Sequence, residues 1–335
     1  MIPQSTPLMK TQTWQAELAT AIKEPEVLLA QLGLLDQLNA ISPDLIKGFP
    51  LRVPQSYVDK MRYGDKNDPL LRQVFPLIDE SIDQAGFIHD PVGDHAAITS
   101  PGMLQKYNGR ALLLITGACA IHCRYCFRRH FPYNDSNPLA SQWQTTVEAI
   151  KADTSINEVI FSGGDPLSLS DDKLAKLVKQ LDTISHIKRL RIHTRLPVVL
   201  PNRVDDALLA WINKTRLQVV IVIHANHASE IGDDVTHALE QLRKAGCQLL
   251  NQAVLLKGIN DSVETLVALS ERLSEVNVMP YYLHLLDRVA GASHFDVSDE
   301  QGVELIAKIR AILPGYLVPR LVREQQGESS KTVIA

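Results

Sequence analysis

Six apolar runs alternate with six helical patterns between residues 110 and 312, and this alternation is the strongest constraint on the fold. The predicted strands are 111–116, 158–162, 189–194, 217–223, 249–256 and 279–285. The predicted helices are 141–152, 171–182, 204–213, 232–245, 261–273 and 299–312. Continuous apolar strands are typical of a parallel sheet that is buried on both faces. Repeated strand–helix units of this kind therefore predict an α/β fold with a partial (β/α)6 TIM-like barrel.

The first hundred residues do not show this alternation of strands and helices. Trp14, Leu18 and Ile22 recur at helical spacing, and residues 26–38 continue an amphipathic helical pattern. Prolines interrupt residues 49–105 so often that an irregular wrapping segment is expected there. We expect three parts, listed in chain order: an N-terminal helical and wrapping extension over 1–100, the barrel over 101–312 and a C-terminal segment over 313–335.

Composition excludes several classes of protein. The net charge of -4 gives no electrostatic case for binding a nucleic acid or a membrane surface. No apolar run approaches the roughly 20 residues that span a bilayer, and the first residues lack the pattern of a signal peptide. We expect a cytoplasmic protein.

Three of the four cysteines stand at one tight spacing, Cys119-x-x-x-Cys123-x-x-Cys126. Three thiolates can hold three irons of a [4Fe–4S] cluster and leave the fourth iron open to another ligand. The alternative is a structural zinc site with His122 or His130 as the fourth ligand. Zinc sites usually combine two close ligand pairs, and the sequence has no second pair, so the pattern favours the cluster.

Other polar residues follow the carboxyl ends of the predicted strands, where barrel enzymes place their chemistry. His224 follows the fourth strand, Gln252 lies on the fifth and Asp287 follows the sixth. The second strand leads into Gly163-Gly164-Asp165, which could be a simple tight turn. Alternatively, the glycines let the backbone approach a ligand closely and the carboxylate accepts hydrogen bonds from an ammonium or a ribose.

Two cationic residues have an ordinary interpretation and a functional one. Arg128 closely follows the cysteines. Exposed arginines are usually solvated, which is the ordinary interpretation. Alternatively, the planar guanidinium of Arg128 could hold a carboxylate with two hydrogen bonds. Lys331 lies in the last stretch of the sequence, and residue pattern alone predicts a fraying tail there.

Ordered motifs from about residue 100 to 335 closely resemble those of the lysine 2,3-aminomutase family, whose members use S-adenosylmethionine (SAM) as a radical source and also pyridoxal phosphate (PLP). The motifs are Arg110-Ala-Leu-Leu-Leu-Ile-Thr, the cysteine triplet with Tyr125, Arg128-Arg129, Phe161-Ser-Gly-Gly-Asp-Pro-Leu, Arg195-Leu-Pro-Val-Val-Leu-Pro, His224-Ala-Asn-His, Asn251-Gln-Ala-Val-Leu-Leu, Pro280-Tyr-Tyr-Leu-His-Leu-Leu-Asp287 and His294-Phe295. A weaker match extends over residues 50–100. This combination is far more specific than the cysteine spacing alone.

The resemblance implies a role for each matching residue. Lys331 is implied as the catalytic lysine that attaches PLP, and Arg128 as the ligand of the substrate carboxylate. Asp287 and Glu324 are implied to bind the distal ammonium of lysine. The remaining implied cofactor contacts are Arg110 and Lys106 at the PLP phosphate, Gly163, Gly164 and Asp165 at the methionyl amine of SAM, and His224 and Gln252 near SAM or PLP.

The sequence also departs from the family pattern. Glu324 stands where the family has an aspartate, and the glycine run before the PLP lysine has become Gly327-Glu-Ser-Ser. The sequence ends four residues after Lys331, which resembles a short bacterial form that supplies β-lysine for modifying elongation factor P.

That resemblance implies L-lysine as substrate, an electron donor such as flavodoxin or ferredoxin, and a functional link to elongation factor P and its lysyl-ligase. Two alternatives stay open. One is a radical SAM aminomutase for another amino acid such as glutamate. The other is a non-catalytic iron–sulfur partner of the translation-modification machinery.

Overall fold

A computed structural model describes residues 13–40, 48–133 and 143–335. Its strands join in one sheet, in sequence order from β1 to β10. They are β1 (Ile98–Ser100), β2 (Met103–Leu104), β3 (Arg110–Thr116), β4 (Glu158–Gly163), β5 (Arg189–Thr194), β6 (Gln218–Ile223), β7 (Gln248–Val254), β8 (Met279–His284), β9 (Arg320–Arg323) and β10 (Thr332–Val333). Strands β3 to β9 pair in parallel, and the short strands at either edge are antiparallel to their neighbours.

Helices connect the parallel strands and cover the outside of the sheet. The α-helices are α1 (Trp14–Ala19), α2 (Pro25–Leu32), α3 (Gln55–Val58), α4 (Pro69–Arg72), α5 (Trp143–Ala152), α6 (Asp171–Asp182), α7 (Leu196–Val199), α8 (Asp206–Ile212), α9 (Asp233–Lys244), α10 (Val263–Glu275) and α11 (Asp299–Arg310). Short 3₁₀ helices occupy Leu35–Ala40, Ile78–Ser81, His95–Ala97, Pro166–Ser168, Pro201–Arg203, Ala228–Glu230, Ser293–Phe295 and Gly315–Leu317. Among the described residues, no helix is long and apolar enough to cross a membrane.

The six predicted strands and six predicted helices all occur, with ends within two residues of the prediction. Residues 141 and 142, at the start of the first predicted helix, lie outside the described part of the chain. Helix α6 shows why the helical patterns were readable: Leu174, Leu177, Val178 and Leu181 form one buried face. Strands β4 and β6 are buried along almost their whole length, as parallel strands between helices should be.

The sequence prediction missed a seventh parallel strand. Strand β9 pairs with β8, with Tyr282 opposite Arg320 and His284 opposite Val322. Its four residues, Arg-Leu-Val-Arg, place only two apolar side chains in the core, which is too short a run to be read as a strand. The described residues show no pairing between β1 and β10, so the barrel is open at this point.

Residues 13–40 and 48–81 pack along one side of the barrel. Ile22 does not continue the first helix but pairs with Val53 in a β-bridge, because α1 ends at Ala19. The side chain of Ser56 donates to the carbonyl of Val199 over 2.8 Å. Two further side-chain contacts fasten the segment to the barrel: Lys60 to Asp234 at 2.8 Å and Gln73 to Glu230 at 3.1 Å.

The last residues form a hairpin with β9. Thr332 pairs with Arg323, and Val333 pairs with Val322. The amide of Leu321 donates to the carbonyl of Ala335 over 2.9 Å. The prediction of a fraying tail from residue pattern alone is therefore wrong, because β9, which was not predicted, supplies the partner strand.

Candidate functional site

One cavity of about 850 Å³ opens at the carboxyl ends of the parallel strands. Every residue that the sequence nominated for a site lines it. These are Lys106, Arg110, Cys119, Cys123, Cys126, Arg128, Gly163, Gly164, Asp165, His224, Gln252, Asp287, Glu324 and Lys331.

The cysteines lie on the loop that follows β3, and this loop packs directly on the glycines that follow β4. The amide of Gly164 donates to the carbonyl of Thr116 over 2.7 Å, and the amide of Asp165 donates to that of Ala118 over 2.8 Å. A Cβ atom at Gly163 would lie 2.4 Å from the Thr116 oxygen, and one at Gly164 would lie 2.4 Å from the Ala118 oxygen. Glycine is required at both positions because the two backbones touch.

All three cysteines of the loop are free and partly buried. Burial raises the pKa of the Cys126 thiol to about 11 and raises that of Cys119 as well. In the two histidines that a zinc site would use, one ring nitrogen contacts a backbone carbonyl: His122 Nδ1 lies 2.8 Å from the Pro50 oxygen, and His130 Nε2 lies 3.1 Å from the Ala290 oxygen. Among the described residues, no three histidine, cysteine or acidic side chains converge at single-ion distance.

A buried ion cluster fixes the outer side of this loop. Both oxygens of Glu80 accept hydrogen bonds from Arg124, at 2.7 and 2.6 Å, and Arg129 adds a third at 2.7 Å. Both guanidinium groups also lie over the ring of Phe49. Because these arginines flank Cys126, the N-terminal extension holds the cysteine loop in place.

Asp165 is buried and its carboxylate is used within the protein. It accepts hydrogen bonds from Thr194 Oγ1 at 2.7 Å and from the backbone amides of Leu167, Arg195 and Leu196. These hydrogen bonds lower the pKa of Asp165, but burial outweighs them and raises it to about 6. The contacts give Asp165 a role in shaping the rim, and its contact with the SAM amine stays a prediction.

His224 directly follows β6, Gln252 lies on the neighbouring strand β7, and both line the cavity. His224 Nε2 is 2.8 Å from the hydroxyl of Tyr125, the aromatic residue of the cysteine motif. Burial lowers the pKa of His224 to about 3, so its imidazole is neutral at physiological pH. Gln252 makes no side-chain hydrogen bond to the described residues and can turn its amide toward a ligand.

Arg128 is buried and shares a carboxylate with Lys106. Arg128 Nε donates to Asp94 at 2.7 Å and its Nη1 donates to Ser162 at 3.1 Å. Lys106 Nζ reaches the other oxygen of Asp94 at 2.7 Å. Burial disfavours the charge on Asp94, but the two cations outweigh it and lower the pKa to about 2. Arg110 lines the same cavity and stacks its guanidinium over the Tyr107 ring.

The base of the C-terminal hairpin brings Glu324 and Lys331 together. Their side chains form an ion pair at 2.5 Å, and Tyr107 donates its hydroxyl to Glu324 at 2.7 Å. Burial opposes ionisation of Glu324, but Lys331 and Tyr107 keep its pKa below the ordinary value. Asp287 has no side-chain hydrogen bond to the described residues, and burial raises its pKa to about 6.

The sequence analysis did not single out Asp94, Tyr107 or Glu80. Asp94 follows a Pro-Val-Gly turn, which is common on any protein surface, and Glu80 stands in an ordinary polar stretch. Tyr107 sits between Lys106 and Arg110, two residues that were nominated, so its position in the motif could have drawn attention to it.

Comparison with known proteins places the sequence of this chain in a family. The model of the Radical SAM superfamily matches residues 113–269. The chain is 45% identical to an L-lysine 2,3-aminomutase of Escherichia coli over 322 residues, covering 96% of this chain and 94% of that protein. It is 44% identical to one of Haemophilus influenzae, covering 100% of this chain and 99% of the other. An L-lysine 2,3-aminomutase of Clostridium subterminale is 32% identical, with 96% of this chain matching 77% of that protein.

Proposed function

The chain belongs to the L-lysine 2,3-aminomutase family of radical SAM enzymes, and we propose that it converts L-α-lysine to β-lysine. The reaction moves the α-amino group from Cα to Cβ and one hydrogen atom from Cβ to Cα, so that substrate and product are isomers. The partial barrel of radical SAM type holds the site at its carboxyl rim.

The observation that carries the substrate assignment is the ammonium group already held by Glu324. Lys331 presents the same primary ammonium that a substrate lysine carries, and Glu324 binds it at 2.5 Å within the cavity. Asp287 lines the same cavity and has an unused carboxylate. A pair of acids suits an ammonium and disfavours the distal carboxylate of glutamate.

The residues present fit the three cofactors of the family. Three free thiols line the cavity, as a [4Fe–4S] cluster with one open iron requires. Lys331 supplies an amine for PLP, and Lys106 and Arg110 supply positive charge for its phosphate. His193 Nε2 and His284 Nε2 are buried at this cavity without partners in the described residues, and a bound ligand would satisfy them. When bound, the cluster and SAM supply a hydrogen-abstracting radical, and PLP delocalises the unpaired electron.

Arg128 binds the substrate carboxylate in this proposal. Its Nε is taken by Asp94 and one hydrogen of Nη1 by Ser162, while Nη2 has no partner among the described residues. Nη1 thus keeps one free N–H and Nη2 keeps two, so each nitrogen can donate to one oxygen of a carboxylate in a bidentate contact. Asp94 keeps the guanidinium in a fixed orientation.

Asp287 and Glu324 bind the distal ammonium, and Lys331 competes for Glu324 whenever its amine is free. Since Glu324 is held by Tyr107 as well, it stays in position when Lys331 leaves. Asp287, Glu324 and Lys331 are partly buried, which limits the access of water that would quench a radical and weaken both ion pairs.

The proposal includes an electron donor, a use for the product and a cellular compartment. An external one-electron donor such as flavodoxin or ferredoxin reduces the cluster, and β-lysine serves elongation factor P together with its lysyl-ligase. The clustered free cysteines fit a reducing compartment, and we place the protein in the cytoplasm.

The test is anaerobic reconstitution of the full chain with iron, sulfide, PLP, SAM and L-lysine, followed by chromatography for β-lysine. We expect β-lysine from L-lysine and none from L-glutamate. Product from glutamate alone would keep the enzyme class and overturn the substrate. A reduced cluster that yields no deoxyadenosine with any amino acid would instead favour a non-catalytic iron–sulfur protein.

A further inference from the structure

Arg195 connects the barrel to one of the cluster cysteines. It follows β5 directly, and its Nη1 donates a hydrogen bond to the sulfur of Cys123 over 2.7 Å. Only 6% of Arg195 is exposed. Because this guanidinium is shielded from water, its hydrogen bond and its electrostatic attraction to the sulfur are stronger than they would be in solvent.

Three oxygen atoms hold the other end of the guanidinium. Nη2 lies 2.7 Å from Gln73 Oε1, 2.8 Å from Glu230 Oε2 and 3.1 Å from the hydroxyl of Tyr57. Gln73 and Tyr57 belong to the N-terminal extension, while Glu230 follows β6. Arg195 therefore cannot rotate away from Cys123 without breaking contacts to two separate parts of the protein.

Glu230 is itself fully buried and fixed by the backbone. Its Oε1 accepts hydrogen bonds from the amides of Asn226 and His227, at 2.7 and 3.0 Å. The carboxylate balances the charge of Arg195 and determines its orientation. In the same network, Asn226 also donates to the hydroxyl of Tyr125, which directly precedes Cys126, at 2.7 Å.

One donor of this arginine is not used within the protein. Arg195 Nε is buried and has no partner in the described part of the chain. Buried donors in native proteins are nearly always satisfied. A group bound at the cysteines, such as an inorganic sulfide of the cluster, is the acceptor that the cavity can offer.

We propose that Arg195 is a positioning residue that sets the reduction potential of the [4Fe–4S] cluster through Cys123, with Glu230 as its counter-charge. The inference rests on the cluster that the proposed function includes. The step concerned is the uptake of one electron from an external reductant such as dithionite, in which no bond forms or breaks and no proton moves. Hydrogen bonds to cluster sulfurs and local charge both govern such potentials. Arg195 stabilises the added negative charge and so favours reduction.

The test is a redox titration of the reconstituted full chain, without SAM and without lysine, followed by electron paramagnetic resonance of the reduced cluster. In Arg195→Gln we expect the ratio of reduced to oxidised cluster at a fixed potential to fall at least tenfold, which is about 59 mV for a one-electron couple. In Glu230→Gln the shift should have the opposite sign, because the counter-charge is removed while the donor remains. A merely structural role would lower iron content in both variants and would not shift the potentials in opposite directions.

Arg203→Gln is the matched control. Arg203 is equally buried and pairs with Asp171 at 2.8 Å, away from the cysteines. Its loss should lower stability and leave the cluster potential unchanged. If Arg195→Gln does not fold, Arg195→Gln combined with Glu230→Gln removes the unpaired buried charge, and its potential should still lie below that of the wild type.

Two outcomes separate this inference from the proposed function. A wild-type chain that binds no cluster would overturn the proposed function. If the wild type binds a cluster and both variants that carry Arg195→Gln have the wild-type reduction potential, only the inference about Arg195 is overturned.

Discussion

The two sides of the cavity are built in different ways. The cysteine side is held by buried charges whose partners come from distant parts of the chain, as in the contacts of Glu80 with Arg124 and Arg129. The lysine side depends on a short hairpin, and residues 325–330 of its loop are exposed. The cysteine side, where a radical would start, is therefore rigidly held. The lysine side, where Lys331 would exchange PLP with the substrate amine, has an exposed loop that can move.

Replacing Cys126 by alanine should have the largest effect on the cysteine side. Three thiolates are needed for three irons, so cluster content and deoxyadenosine formation from SAM should both be lost. Iron and sulfide analysis with chromatography of the nucleoside products checks this. Cys247→Ala, a buried cysteine outside the loop, should retain both. PLP binding should survive in Cys126→Ala if the two sides are independent, and its loss would break the comparison.

Lys331→Ala is the counterpart on the other side. Covalent attachment of PLP should disappear, so borohydride treatment should fix no cofactor to the chain, and β-lysine formation should fall below detection. Iron content should match that of the wild type. Lys308→Ala removes an exposed lysine of α11 and serves as control. A variant that still traps PLP after borohydride reduction would show that another lysine anchors the cofactor.

Glu80→Gln tests how much the buried charges contribute to rigidity. Removing the carboxylate leaves two buried guanidinium groups without a counter-charge, so unfolding free energy should fall by about 3–5 kcal/mol. Denaturant titration measures this. Glu240→Gln breaks an exposed ion pair with Lys244 and should cause no measurable loss. Equal stability of the two variants would contradict the assignment of the rigid side.

Asp287→Asn should weaken lysine binding while leaving both cofactors bound. Loss of one charged contact worth about 2 kcal/mol predicts a rise in KM of roughly 30-fold. Because burial raises the pKa of Asp287 to about 6, the wild-type carboxylate is protonated below that pH and cannot pair with the ammonium. In the wild type, kcat/KM should therefore fall by up to about tenfold per pH unit below pH 6, until it reaches the roughly 30-fold lower level of the variant. The variant should lack this limb, and unchanged lysine turnover would refute the ammonium site.

Glu324→Asp should have the smallest effect. The shorter side chain draws the carboxylate back from Lys331 and Tyr107, so a change in kcat/KM of roughly fivefold is expected. Steady-state kinetics with lysine measures it, and Glu324→Gln should be the more severe variant because it also loses the charge. A larger loss in Glu324→Asp than in Glu324→Gln would mean that chain length, not charge, controls this side.

Sequence reasoning reached the barrel because buried parallel strands are continuous apolar runs. The cysteine triplet and several polar residues were nominated from their positions after those strands. Lys106, Arg110, Glu324 and Lys331 were nominated only through the family resemblance, and their roles stay predictions. Sequence reasoning did not reach β9, whose four residues bury two side chains, and so it misread the tail that β9 pairs with. It also did not find Asp94 or Glu80, because a buried carboxylate is recognisable only when its cationic partners, distant in sequence, are seen beside it.

The contacts of the N-terminal extension have a consequence for the order in which the chain acquires its structure. Ser56 bonds to Val199, Lys60 to Asp234 and Gln73 to Glu230. Although the extension is synthesised first, its partners emerge from the ribosome more than a hundred residues later. The cysteine loop is thus translated before the N-terminal extension can pack against its barrel partners. During that interval the three thiols are more accessible than in the folded chain, where they are partly buried at the cavity.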